Sequence, residues 1–88
     1  MTWIVKRTNT FVPSLKSIQK NEQALAELDK KIKRLQEDPL HVGGWLSGEL
    51  RGKKSTRITK RYRLIFLTPN ESDEVVYLNW IDHGEHAY

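Results

Sequence analysis

The sequence predicts an α+β domain, in the order β-α-α-β-β-β, whose helical hairpin covers one face of a small, antiparallel-rich sheet. Apolar residues recur at spacings of three and four between Phe11 and Leu35, the period of helices with one buried face. β-branched and aromatic residues dominate the later runs Ser55–Thr59, Tyr62–Thr68 and Glu74–Asp82, which suit a pleated, half-buried surface. Trp3-Ile4-Val5 adds a short strand at the start. Eighty-eight residues, 38% of them hydrophobic, support one domain over 1–88 with a modest core. A chain of this size buries about 60–65% of its unfolded surface.

Each element has a local reason. Lys6-Arg7-Thr8-Asn9-Thr10 ends the first strand, and Phe11, Leu15 and Ile18 then mark one face of a short helix. Pro13 fits its first turn, where a missing N–H costs nothing. Asn21 is a good N-cap for the second helix, whose Leu25, Leu28, Ile32 and Leu35 predict the buried stripe. Glu22 and Glu27 lie early in that helix and Lys30, Lys31, Lys33 and Arg34 late, which complements its dipole. The stripe covers barely two heptads, so it reads as core rather than as a coiled-coil seam, and Pro39 ends it.

His41-Val-Gly-Gly44 reads as a loop and Trp45–Leu50 as a turn or an irregular strand approach. Gly43-Gly44 lacks the Lys and Ser/Thr that a phosphate-cradling P-loop needs at fixed spacing. A tight turn at Lys60-Arg61 joins the next two strands, and Pro69–Asp73 carries strong turn signals before the last. That last strand is nearly continuous in apolar character, which predicts an interior position.

Composition narrows the functional classes. The absence of cysteine excludes disulfides, thiolate nucleophiles and Cys-based zinc sites. The opening residues hold only a three-residue apolar run, short of a signal peptide or a membrane span, so a cytoplasmic protein without membrane association is expected. The positive charge is localised. Residues 51–63 hold seven cations (Arg51, Lys53, Lys54, Arg57, Lys60, Arg61 and Arg63) and no acid, whereas the whole chain carries +4. Such a segment can hold nucleic-acid phosphates, or act as a charged edge that keeps an exposed strand from aggregating. Alternation places Ile58 with Leu64 and Phe66 beneath the helices, and Arg57 and Arg63 on the opposite face. A second cluster, His83, His86 and Tyr88, closes the sequence and can supply proton-transfer groups or be a polar tail. As a metal site it lacks an accompanying acidic or Cys ligand set.

Leu50-Arg-Gly52, Ser55-Thr-Arg-Ile-Thr59, Tyr62-Arg-Leu-Ile-Phe66 and a terminal His86-Ala-Tyr88 resemble the RelE/ParE superfamily of bacterial type II toxins, the YoeB/Txe branch most closely. The resemblance spans essentially the whole chain and agrees with the element order. It implies an endoribonuclease that cuts mRNA on the ribosome without metal or other cofactor. It also implies inhibition by a cognate antitoxin and contact with operator DNA through the antitoxin complex.

In the implied chemistry the RNA 2′-OH attacks the adjacent phosphorus, leaving a 2′,3′-cyclic phosphate and a 5′-OH. The site then needs a base, cations for the phosphorane charge and an acid. By resemblance Arg63 stabilises the phosphate and Arg57 is a second clamp. Tyr88 orients the RNA, and His86 is the acid with His83 its competitor. Arg51, Lys53, Lys54, Lys60 and Arg61 provide the surrounding RNA-binding surface. This sequence departs from the relatives in three places. The YoeB-branch glutamate base falls near Gly44, leaving Glu49 as the nearest substitute. Thr59 stands where the RelE branch has a second lysine, and Ala87 separates His86 from Tyr88. Two other roles remain open: a ParE-like poison of DNA gyrase that acts by binding, and a catalytically weak member that acts through antitoxin and operator DNA.

Overall fold

The computed structural model describes residues 2–83. Strand β1 (Ile4–Arg7) leads into helix α1 (Phe11–Ser14), which tightens into a 3-10 turn at Leu15–Ser17, and helix α2 (Glu22–Glu37) follows. A 3-10 turn at Pro39–His41, strand β2 (Gly44–Trp45) and a further 3-10 turn at Gly48–Leu50 precede β3 (Lys53–Arg57), β4 (Tyr62–Leu67) and β5 (Val75–His83). The strands form one sheet in the order β1-β5-β4-β3-β2. Among the described residues only the β1–β5 pairing is parallel. The expected α+β architecture is present, with β5 in the interior between β1 and β4.

Local chemistry explains the element ends. The Asn21 side chain accepts the Ala24 N–H at 3.0 Å, satisfying an orphan donor of the first turn of α2. Asn70 accepts the Asp73 N–H at 3.1 Å through its side chain, shaping the turn before β5. Phe11, Ile18, Ala24, Leu28 and Leu35 from the helices meet Ile58, Leu64, Phe66, Val76, Leu78 and Ile81 from the sheet side in one core.

Three local expectations are corrected. The stripe of α2 runs through Ala24, which is fully buried, and not through Leu25, which is 38% exposed. Residues 24 and 25 fit the 3.6-residue period about equally well, so periodicity could not choose between them. The stretch expected as loop contains a short edge strand, where Gly44 and Trp45 pair with Ser55 and Lys54. Strand β3 spans Lys53–Arg57 and not Ser55–Thr59. The Ile58 and Thr59 N–H groups both donate to the Tyr62 carbonyl, at 2.9 and 3.3 Å, and the Thr59 hydroxyl accepts the Arg61 N–H. The turn therefore takes in Ile58–Arg61, and Ile58 still reaches the core.

One irregularity decides which side chains share a face. Phe66 lies opposite Leu78 and Ile65 opposite Trp80, so Asn79 is an extra residue that bulges from β5. The polar stretch after β1 clasps this bulge. The Thr10 and Thr8 hydroxyls donate to the Asn79 carbonyl at 2.7 and 3.2 Å. Thr8 also donates to the Leu78 carbonyl through its hydroxyl at 2.8 Å and its N–H at 3.1 Å. The Ile81 N–H donates to the Ser14 hydroxyl at 2.9 Å. Val76 and Leu78 face the core before the bulge and Ile81 faces it afterwards, which turns Trp80 and Asp82 to the opposite face.

Candidate functional site

The helices pack against the face of the sheet that carries Leu64 and Phe66. Alternation along β4 therefore sends Arg63, Ile65 and Leu67 to the other face. Register then extends each across the sheet. Arg63 lies opposite Arg57 on one side and Asp82 on the other, giving a three-strand row Arg57–Arg63–Asp82. The next row is Ser55–Ile65–Trp80, and Lys53 lies opposite Leu67 in the third.

The first row is electrostatically unusual. Side chains directly opposite on one sheet face have Cβ atoms about 4.5–5.5 Å apart, and like charges there are destabilising. The two arginines therefore oppose each other on the same face, Arg57 exposed and Arg63 half-buried. Half-buried Asp82 offsets part of that charge from the far side of Arg63. An anion held over Arg57 and Arg63 would relieve the repulsion and match the planar, bidentate donor geometry of guanidinium groups.

Trp80 supplies an aromatic surface two residues along β5 from Asp82. The Lys53 ammonium sits 4.8 Å from the centre of its ring, a cation–π contact that brings a cation to the same surface. Neither Trp80 nor Asp82 stands out in the sequence. Unbroken alternation from Leu78 would have turned both toward the helices, and only the bulge at Asn79 reverses this.

The remaining expected site residues lie in several places. Glu49 is exposed in the 3-10 turn that precedes the Lys53 end of β3, whereas Arg57 is at the other end. Arg57 lies four residue steps along β3 from Lys53, about 13 Å at strand rise. The structure thus does not bring Glu49 to the arginine row. His83 pairs with Tyr62, and the two rings meet edge to face at 4.9 Å on the helix side of the sheet. It is therefore on the opposite face from Arg57 and Arg63. His86 and Tyr88 lie outside the described residues. Exposed Lys60 and Arg61 occupy the β3–β4 turn and line a shallow depression with Asn21, Gln23, Thr59 and Tyr62. Arg51 is exposed at the end of the Gly48–Leu50 turn.

Lys54, expected on the RNA-binding surface, belongs to the interior. It is 3% exposed on the helix side of β3, opposite Phe66. Its ammonium donates to the Leu40 carbonyl at 3.0 Å and lies 5.2 Å from the centre of the Trp45 ring. Burial lowers its pKa from the ordinary 10.5, and the charge of Asp38 opposes that shift. The unfolded chain consequently binds more protons than the folded one between the lowered value and 10.5, so stability rises with pH across that window. Urea unfolding at stepped alkaline pH should show the native protein gaining stability relative to Lys54→Met as pH approaches 10.5. A constant difference between the two proteins would contradict this.

No family profile matches the sequence, and no curated protein matches it. Solved structures do. A chain of the RelBE2 toxin–antitoxin complex from Mycobacterium tuberculosis superposes with a TM-score of 0.75 at 26% identity, covering 94% of this chain and 99% of that one. The archaeal RelE–RelB complex from Pyrococcus horikoshii gives a TM-score of 0.73 at 20% identity, with 99% and 100% coverage. A YoeB/ParE toxin from Agrobacterium tumefaciens gives 0.73 at 17% identity, with 96% and 99% coverage. The fold, its near-complete coverage by these toxin structures and the Mycobacterium similarity together agree on one conclusion: the chain belongs to the RelE/ParE-like toxin superfamily.

Proposed function

We infer that the protein is the toxin of a type II toxin–antitoxin pair and an endoribonuclease that cleaves mRNA on the ribosome. The observation that carries this reading is the Arg57–Arg63 pair, two cations set directly opposite each other on the sheet face away from the helices. Two guanidinium groups on one face suit a bound phosphodiester. Arg63 stabilises the developing phosphorane charge and Arg57 holds the same or the neighbouring phosphate. Trp80 offers a nucleobase a stacking surface beside them, while Lys53, Arg51, Lys60 and Arg61 steer the backbone. His86 and Tyr88 remain the groups proposed for protonating the leaving oxygen and orienting the RNA. His83 and Glu49, which the structure sets apart from the arginine row, are not assigned to the chemistry.

Several similar structures are toxin–antitoxin complexes, which supports a cognate antitoxin that covers and neutralises the basic face. Operator DNA would be contacted through that complex. No helix among the described residues is long and apolar enough to cross a membrane, and the proposed site of action is the translating ribosome in the cytoplasm.

The reading is tested by adding the protein to a translating extract and mapping the mRNA ends. Cleavage at defined positions, insensitive to EDTA and leaving 2′,3′-cyclic phosphate and 5′-OH ends, is the expected result. Intact mRNA accompanied by gyrase-dependent DNA breaks would replace this reading with the ParE-like one. Neither effect from folded protein would leave antitoxin and operator binding as its role.

A further inference from the structure

A base is the missing part of the site, and the register of β5 supplies a carboxylate. We propose that Asp82 is the general base that takes the proton from the attacking 2′-OH, an assignment that rests on the RNA-cleavage reading above. Asp82 lies directly opposite Arg63 on the face that also carries Arg57. Adjacent strands are about 4.8 Å apart, so the three side chains form a row about 10 Å long with Arg63 at its centre. A phosphodiester held over the two arginines presents the ribose that bears its 2′-OH toward one end of that row. The end with a proton acceptor is Asp82, because arginine, with a pKa above about 12, cannot act as one.

The step balances. The Asp82 carboxylate accepts the 2′-hydroxyl proton as the 2′-oxygen bonds to phosphorus. Arg63 and Arg57 hold the charge on the non-bridging oxygens, and the P–O5′ bond breaks. The 5′-oxygen takes a proton from an acid or from water. The products are the 2′,3′-cyclic phosphate and the 5′-OH, and Asp82 returns its proton to solvent.

The bulge at Asn79 sets Asp82 in this place. A β5 without the Asn79 bulge would turn Asp82 toward the helices. Four side-chain hydrogen bonds hold the backbone at and around the bulge: Thr10 and Thr8 to the Asn79 carbonyl, Thr8 to the Leu78 carbonyl and the Ile81 N–H to Ser14. A purely electrostatic partner for Arg63 would need the same placement, and the two roles predict opposite results.

The test uses the full chain with translating ribosomes. It measures single-turnover cleavage and, separately, binding to an mRNA with a 2′-deoxy substitution at the cut position, which cannot react. Asp82→Asn should lower the cleavage rate by about 10²–10⁴-fold, the usual contribution of a positioned base. Binding should be unchanged or tighter, because a negative charge beside the phosphate is gone. Asp82→Glu should recover part of the rate. Asp82→Asn at the wild-type rate overturns the assignment while leaving the enzyme an RNase. Parallel loss of binding, turnover and thermal stability in Asp82→Asn also overturns it, in favour of a structural partner for Arg63. A wild-type protein that leaves mRNA intact overturns the RNase reading, and Asp82's role with it.

Discussion

Arg63→Ala is expected to lower single-turnover mRNA cleavage by about 10²–10³-fold, the usual cost of removing one preorganised donor from a developing oxyanion. Arg63 is the member of the row with neighbours on both sides, Arg57 and Asp82, so it has the fewest alternative placements for its guanidinium. Exposed Arg57 should matter less to the chemical step and more to binding. Arg63→Lys should remain impaired, since an ammonium is a point charge and cannot hold two phosphate oxygens in a planar fork. The like-charge contact also predicts the direction of the stability change. Removing Arg57 removes a repulsion across the β3–β4 pair, so Arg57→Ala should unfold at the same temperature as wild type or higher. A variant that cleaves at the wild-type rate without Arg63 would remove the central residue of the proposed site.

Gly43→Ala is expected to be the most damaging small substitution for the fold. Gly43 has a φ of +72°, and an added Cβ would lie 2.3 Å from the Ser55 carbonyl oxygen and 2.9 Å from its carbon. The obstacle is the backbone of β3, so no side-chain rotation relieves it. Left-handed strain in a non-glycine residue and overpacking each cost about 1–3 kcal/mol, so a loss of about 2–6 kcal/mol follows. For a domain of this size that corresponds to a melting temperature lower by roughly 10–45 °C. Gly44→Ala is the control, because a Cβ there meets nothing within 4 Å. Thermal unfolding of the two variants side by side checks the prediction, and equal melting temperatures would contradict it.

Much of the architecture was legible because it rests on local chemistry. Asn21 caps α2, Pro13 sits in the first turn of α1, and Asn70 shapes the turn before β5. Ile58, Leu64 and Phe66 meet in the core as their alternation requires, which carries Arg57 and Arg63 to the opposite face. Other residues were misread because their fate depends on partners distant in sequence. Lys54 belongs to a basic run, yet the Leu40 carbonyl and the Trp45 ring draw its ammonium inward. Leu25 and Ala24 suit the helical period alike, and tertiary packing chose the smaller one.

The sequence by itself determined the order of helices and strands, the basic character of residues 51–63 and the common face of Arg57 and Arg63. Those follow from composition, capping and a period of two. Only the tertiary structure decided which other residues join that face. A single extra residue at Asn79, held by Thr8 and Thr10, shifts the phase of β5. That shift brings Asp82 beside Arg63, turns Trp80 to the same face and leaves His83 against Tyr62 on the other. A strand's alternation is local, but its phase after a bulge is set by hydrogen bonds to residues some seventy positions away.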